Sequence, residues 1–261
     1  MTTVLDFKDV SFVRGGRKIL DGLTWQVDSA ERWVVLGPNG AGKSTILKIA
    51  GFFEYPTSGT VEILGNRLGR VDVFEVRSSV GFAASTQERR IPATETVLDC
   101  VLTAAHSVTG RWREKYDSLD ERRAARVLAE WGLSDLADRQ FGSLSDGERK
   151  RVLIARAVMT DPELLLLDEP AASVDLGGRE LLLQTLAGFA QSPYCPGMIM
   201  VTHHVEEIPP GFSHALLLGS DGRVQAQGRL EDVLTSQHLS AAFGVPLEIT
   251  QQNGRFFSYA V

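Results

Sequence analysis

Four apolar residues, Trp33, Val34, Val35 and Leu36, run straight into Gly37, Pro38, Asn39, Gly40, Ala41, Gly42, Lys43 and Ser44. A short, wholly apolar run suits a strand covered on both faces, as in a parallel sheet. Three glycines and a proline within the next six residues suit neither strand nor helix. Helical periodicity then begins at Lys43 and fades near Gly51. Strand, glycine loop and helix in that order form a phosphate-binding loop. Glycines let backbone N–H groups turn inward around an anion, and the helix aims its positive dipole end at the same charge. Lys43 can reach the β- and γ-phosphates, and the Ser44 hydroxyl can ligate Mg²⁺. Thr45 completes the set of phosphate-binding candidates. A glycine turn matching this spacing by chance has odds on the order of one in a hundred at average glycine usage.

The remaining periodicity places this loop in an α/β fold. Residues 4–10, 24–27, 60–63 and 80–83 read as strands, and 94–106, 119–131 and 148–159 as helices. Leu164, Leu165, Leu166 and Leu167 form another buried strand, followed by a helix over 179–191 and apolar strands at 198–201 and 215–218. Strand–helix alternation on both sides of a helical stretch predicts a parallel sheet with an inserted helical subdomain. A helix is expected over 236–243, then a hairpin turning at Asn253 and Gly254. The expected organisation is one domain over 1–228, with the insert at about 90–158, and a C-terminal helix and hairpin over 229–261 packed on it. Trp25 and Trp33 flank strands and are expected in the core. Leu119, Ala124, Val127, Leu128 and Trp131 recur at helical spacing toward a core. The charged stretches 111–115 and 121–123 read as solvated helix faces.

Composition narrows the partners. The formal charge of −6 and pI of about 5.5 argue against nucleic acid. Cys100 and Cys195 lack metal-ligand spacing and read as reduced thiols. No apolar run approaches the 18 or so residues needed to span a bilayer, and residues 1–12 lack the pattern of a signal peptide. The chain is expected to be cytoplasmic, with any membrane part supplied by another chain.

Two further motifs carry chemistry. The leucine strand ends in Asp168 and Glu169. Beside a phosphate loop, Asp168 would hold Mg²⁺ through a water. Glu169, one residue on, is placed to accept a proton from attacking water. Leu144, Ser145, Asp146, Gly147 and Glu148 precede a basic amphipathic helix. Ser145 with Glu148 makes a capping box, and such a helix start is also an anion site.

The order of these elements, followed by Ala172-Ser173-Val174-Asp175 and Val201-Thr202-His203, resembles the ATP-binding subunits of ABC transporters over about Val4 to Gly228. The resemblance implies a P-loop NTPase sheet core with an N-terminal antiparallel β portion and an inserted helical subdomain. It implies Mg²⁺-dependent ATP hydrolysis by a homodimer that sandwiches two ATP molecules. Ser145 and Gly147 would bind the γ-phosphate of ATP held by the other subunit, Asp175 would lie at the dimer seam, and His203 would contact the γ-phosphate. Asp146-Gly147-Glu148 stands where family members more often have Gly-Gly-Gln, and His204 stands where they usually have Asp. Arg14 occupies the position of an aromatic that stacks on adenine, so either its guanidinium stacks there or it is a solvated loop residue. Ser85 stands where a glutamine is expected and Gln87 follows two residues later. The expectation is that Gln87 reaches the metal or the attacking water.

Among ABC proteins, the ribosome-associated type usually carries two such domains in one chain. The DNA-repair type separates the two motifs by a long coiled coil, and no heptad run separates them here. A transport ATPase with a separate membrane permease is therefore expected. The segments 230–235 and 239–245 look like the tail of ATPases serving importers of iron chelates and related metal compounds.

Overall fold

The computed structural model describes residues 2–111 and 113–261. Six strands form the central sheet: β3 (Arg32–Leu36), β6 (Val80–Ala84), β7 (Leu164–Asp168), β8 (Gly197–Val201), β9 (His214–Leu218) and β10 (Val224–Arg229), in the spatial order β10-β9-β3-β8-β7-β6. All but β10 run parallel to their neighbours. A second sheet, antiparallel throughout, orders β2 (Arg17–Asp28), β1 (Thr3–Arg14), β4 (Ser58–Ile63) and β5 (Asn66–Arg67).

The parallel strands are apolar at every position because both their faces are covered. Val34, Leu36, Leu165, Leu167, Met198 and Met200 point into one core, which also holds α4 (Val97–Leu102), α5 (Ser118–Glu130), α6 (Asp146–Met159) and α7 (Leu176–Ala190). The alternate residues Trp33, Val35, Leu164, Leu166, Ile199 and Val201 enter a second core with the antiparallel sheet and α1 (Lys43–Ala50). Trp25 and Trp33 meet edge to face in that second core, their centroids 5.3 Å apart, so both are core residues as expected.

The stretch 111–115 departs from its sequence reading. Trp112 lies outside the described residues, and Arg111 and Arg113 to Lys115 are not helical. The helix starts later because Asp117 caps it, accepting from the backbone N–H groups of Leu119 and Asp120 at 2.8 and 2.9 Å. Two short helices without a clear periodic signal, α2 (Val73–Arg77) and α3 (Ser85–Glu88), flank β6. After α8 (Leu230–Val233) and α9 (Ser236–Phe243), the hairpin of β11 (Leu247–Gln252) and β12 (Arg255–Ala260) is held by Arg255. That residue contacts Glu180 on α7 and donates to the Glu206 carbonyl at 2.6 Å.

Candidate functional site

The carboxyl ends of β3, β8, β7 and β6 lie side by side, and the chain leaves each into a polar segment. Open parallel sheets bind ligands at this edge. From β3 the chain enters the loop 37–42, and Gly42 sits at φ 96° as the N-cap of α1. A Cβ on Gly42 would stand 2.6 Å from Leu20 Cδ2 and 2.9 Å from the Ile19 carbonyl oxygen. Strand β2 therefore packs onto the loop at a place only glycine permits. Lys43 is 5% exposed, and its Nζ donates to the carbonyls of Gly37 and Pro38 at 2.7 and 2.9 Å. Burial draws its pKa down, and the charges of Glu169 and Asp168 oppose that shift. A cation thus points into a loop whose N–H groups share its preference for anions.

Asp168 closes β7, in register with Ala84 of β6 and Val201 of β8. Ser44 Oγ donates to Asp168 Oδ1 at 2.9 Å. Burial pushes the Asp168 carboxyl above the usual carboxylate range, only partly offset by the Ser44 hydrogen bond, and neighbouring Glu169 pushes it the same way. Glu169 has φ 48°, a left-handed backbone that is costly for a non-glycine residue. Its N–H donates to the Val201 carbonyl at 3.0 Å. Its Oε1 lies 3.2 Å from His203 Nδ1. His203 follows buried Thr202, whose Oγ1 hydrogen-bonds Glu207 and accepts from the His204 N–H.

Ser145, Gly147 and Asp175 form a second group on the same chain. Ser145 Oγ accepts from the Glu148 N–H at 3.3 Å, while Glu148 Oε2 accepts from the Ser145 N–H at 2.7 Å and from its hydroxyl at 2.8 Å. The bond from the Ser145 backbone is the main reason the Glu148 carboxyl is held below its ordinary pKa. A Cβ on Gly147 would meet Val174 at 3.1 Å, so the start of α6 packs on the segment that follows Glu169. Asp175 caps α7 by accepting from the Gly178 N–H at 2.9 Å. Among the described residues, no hydrogen bond joins this group to Lys43, Ser44, Asp168, Glu169 or His203.

Residues 20–172, with the phosphate loop and both acidic motifs inside them, match the family described as ABC transporter. The chain belongs to this family. It is 36% identical to the ABC transporter ATP-binding protein YlmA of Bacillus subtilis, over 97% of this chain and 96% of that protein. It is 31% identical to the hemin import ATP-binding protein HmuV of Rhodococcus jostii, over 93% of this chain and 80% of that one. A solved structure described as an inward-facing ABC transporter of metal-chelate type superimposes with a TM-score of 0.77 at 28% identity, covering 100% of this chain and 97% of the other. A dimeric ATP-binding cassette bound to ADP and phosphate superimposes with a TM-score of 0.74 at 25% identity, covering 87% and 98%. This chain is accordingly an ABC transporter ATPase, which binds and hydrolyses ATP.

Two expected residues of the ABC ATPase stand apart from both groups. Arg14 ends β1, pairs with Glu54 at 2.5 Å and lies over the Phe12 ring at 5.2 Å. Among the described residues, no hydrogen bond joins the Gln87 side chain to Ser44 or Asp168. Gln87 lines a cavity of about 290 Å³ with Phe53, Phe82, Arg90 and Arg156. Ser85 is the residue next to the Ser44–Asp168 corner, because it follows Ala84, the register partner of Asp168.

Lys150 of this ABC ATPase belongs to none of the sequence motifs. It is 7% exposed and donates to Ser85 Oγ at 2.5 Å. Its neighbours Arg149 and Arg151 suggest a solvated face. A signal was present nonetheless: Leu153, Ile154 and Ala157, three, four and seven positions on, are all buried, so Lys150 shares their stripe.

Proposed function

We propose that two copies of this chain form a homodimer that sandwiches two Mg²⁺–ATP molecules and drives transport through a separate membrane permease. The observation that carries the reading is the Ser44–Asp168 bond lying next to the Glu169–His203 contact at the mouth of the phosphate loop. In this assignment the N–H groups of residues 37–42, with Lys43, Ser44 and Thr45, hold the triphosphate. Ser44 and Asp168 offer two hard oxygen donors at adjacent positions, a set suited to Mg²⁺. Bound there, the ion would neutralise charge developing on the phosphate oxygens. Glu169 accepts the proton of the attacking water, its carboxylate oriented by His203 and by the left-handed turn of its own backbone. His203 donates toward the γ-phosphate. Ser145 and Gly147, with Asp175 at the seam, serve the nucleotide held by the other subunit. The separation of the two groups within one chain supports a site completed only across a dimer. Arg14 stacks on the adenine.

No helix among the described residues is long and apolar enough to cross a membrane, and the reading places that function on a permease. The cavity lined by Gln87, Ala104 and Phe53 is the docking surface, at the inner face of the membrane. Three guanidinium groups line it, from Arg77, Arg90 and Arg156, and none of its lining residues is acidic. Residues 1–228 act as the ATP-binding domain, and 229–261 brace it. Relatives named for import of hemin and cobalt favour a metal chelate as cargo. The net charge of −6 weighs against nucleic acid as a partner.

Copurification from detergent-solubilised membranes tests this. A polytopic membrane protein should accompany the chain, and cysteines placed at Glu88 or Thr94 should crosslink to it. Recovery with ribosomes or DNA and no membrane partner overturns the transport reading.

A further inference from the structure

Lys150 is a buried residue whose ammonium has no carboxylate partner. None of the ion pairs among the described residues includes it. Its hydrogen bond goes to the hydroxyl of Ser85. The two residues it joins sit at informative places. Lys150 lies on α6, whose first turn carries Ser145 and Gly147. Ser85 opens α3 directly after Ala84, which is in register with Asp168, the acceptor of the Ser44 bond. Arg149 adds a second tie between the same elements, reaching Glu88 at 3.3 Å.

We infer that Lys150 is a positioning residue that, through Ser85, couples the metal corner of one ATP site to the Ser145–Gly147 turn that serves the other. The inference rests on the sandwich reading, in which those two features of one chain face different nucleotides. A shift of the β6 end on filling the corner is passed to α6 by a bond between two rigid elements. The half-buried Arg149–Glu88 pair is a second link across the same junction and keeps α3 beside α6. Filling one site thereby orients the turn that closes on the other, which is cooperativity between the two ATP molecules.

The test is steady-state ATP hydrolysis by the full chain as a function of ATP concentration, with nucleotide affinity read separately from a fluorescent ATP analogue. The unaltered protein should give a Hill coefficient above 1 and below the ceiling of two set by its number of sites. Lys150→Met and Ser85→Ala cut the bond from opposite ends, and Ser85 is exposed, so its variant does not disturb a core. Each should lower the Hill coefficient toward 1 and kcat by about tenfold, within the usual range of coupling. Analogue affinity should stay within about twofold. The double variant should be no worse than either single one, because both remove the same link. Lys150→Arg, which keeps a charged donor, should restore cooperativity. An unaltered protein without cooperativity, unchanged Hill coefficients in the variants, or additive losses in the double variant would each overturn the coupling. ATP-dependent dimerisation of Glu169→Gln separates the two claims. No dimer overturns the sandwich and the coupling with it, whereas a dimer with unchanged cooperativity in Lys150→Met overturns the coupling alone.

Discussion

Glu169 and His203 meet across the ends of two neighbouring strands, with Oε1 3.2 Å from Nδ1. The contact exists because Glu169 leaves β7 with φ 48° while its N–H stays bonded to Val201, the last residue of β8. A residue with ordinary backbone angles would carry its side chain in another direction. Strain of this kind costs on the order of 1–3 kcal/mol and persists where the surroundings enforce it.

Glu169→Gln removes the proposed proton acceptor and leaves the shape of the site. We expect ATP binding to be kept and turnover to fall by roughly 10²–10⁴-fold, the usual contribution of a general base. Because the γ-phosphate is then retained, the variant should elute as a dimer in ATP and Mg²⁺ on a sizing column. Full activity, or a monomer under those conditions, excludes the assignment.

Arg14 holds Glu54 in a surface ion pair, with its own side chain more than half exposed. Such pairs contribute about 0–1 kcal/mol. A guanidinium over a base face gains roughly 0.5–2 kcal/mol, so stacking on adenine competes with the pair on at least equal terms. Arg14→Ala should weaken nucleotide binding by up to about tenfold, and Arg14→Tyr should restore it. Titration calorimetry with unchanged affinity in the alanine variant would assign Arg14 to the solvated loop.

Burial raises the Asp168 carboxyl above its ordinary pKa of 3.8. The folded chain therefore binds that proton more tightly than the unfolded one, and stability falls as pH rises from about 4 through the raised value. Asp168→Asn should melt higher than the unaltered protein at neutral pH in EDTA, by about 2–4 °C for a chain of this size. The gain should vanish near pH 4. With Mg²⁺ and ATP present the order should reverse, because the variant loses the metal ligand proposed at Asp168. Equal melting curves in EDTA at every pH would refute the account.

Gly42→Ala places a methyl group 2.6 Å from Leu20 Cδ2 on a backbone at φ 96°. A cost of about 2 kcal/mol follows from the conformation alone, before the clash is counted. Urea denaturation measures it directly, and a loss below about 0.5 kcal/mol would mean that β2 moves aside.

The glycine loop, the buried strands and the capping box at Ser145 are legible in the sequence because each depends on residues close together in the chain. Trp33, Val34, Val35 and Leu36 announce a strand covered on both faces, and the structure divides them alternately between two cores. Ser145 and Glu148 announce a helix start three residues apart and form it. The inserted helices 119–131 and 148–159 differ from Ser118–Glu130 and Asp146–Met159 only at their ends, where local caps set the boundary. Gln87 and Ser85 could not be ranked that way. Either side chain has suitable chemistry, and their distance from Asp168 depends on the register of β6 on β7, which puts Ala84 opposite Asp168 across a gap of 84 residues in the chain. Lys150 is hidden for the same reason. A basic triplet in a helix looks solvated until β6 and α3 pack against one of its faces. Local sequence determined which elements form and where the glycine loop falls between β3 and α1, since short-range sterics and hydrogen bonds decide those. Only the tertiary structure decided which polar side chains meet, because strand register and helix packing set distances that spacing along the chain does not encode.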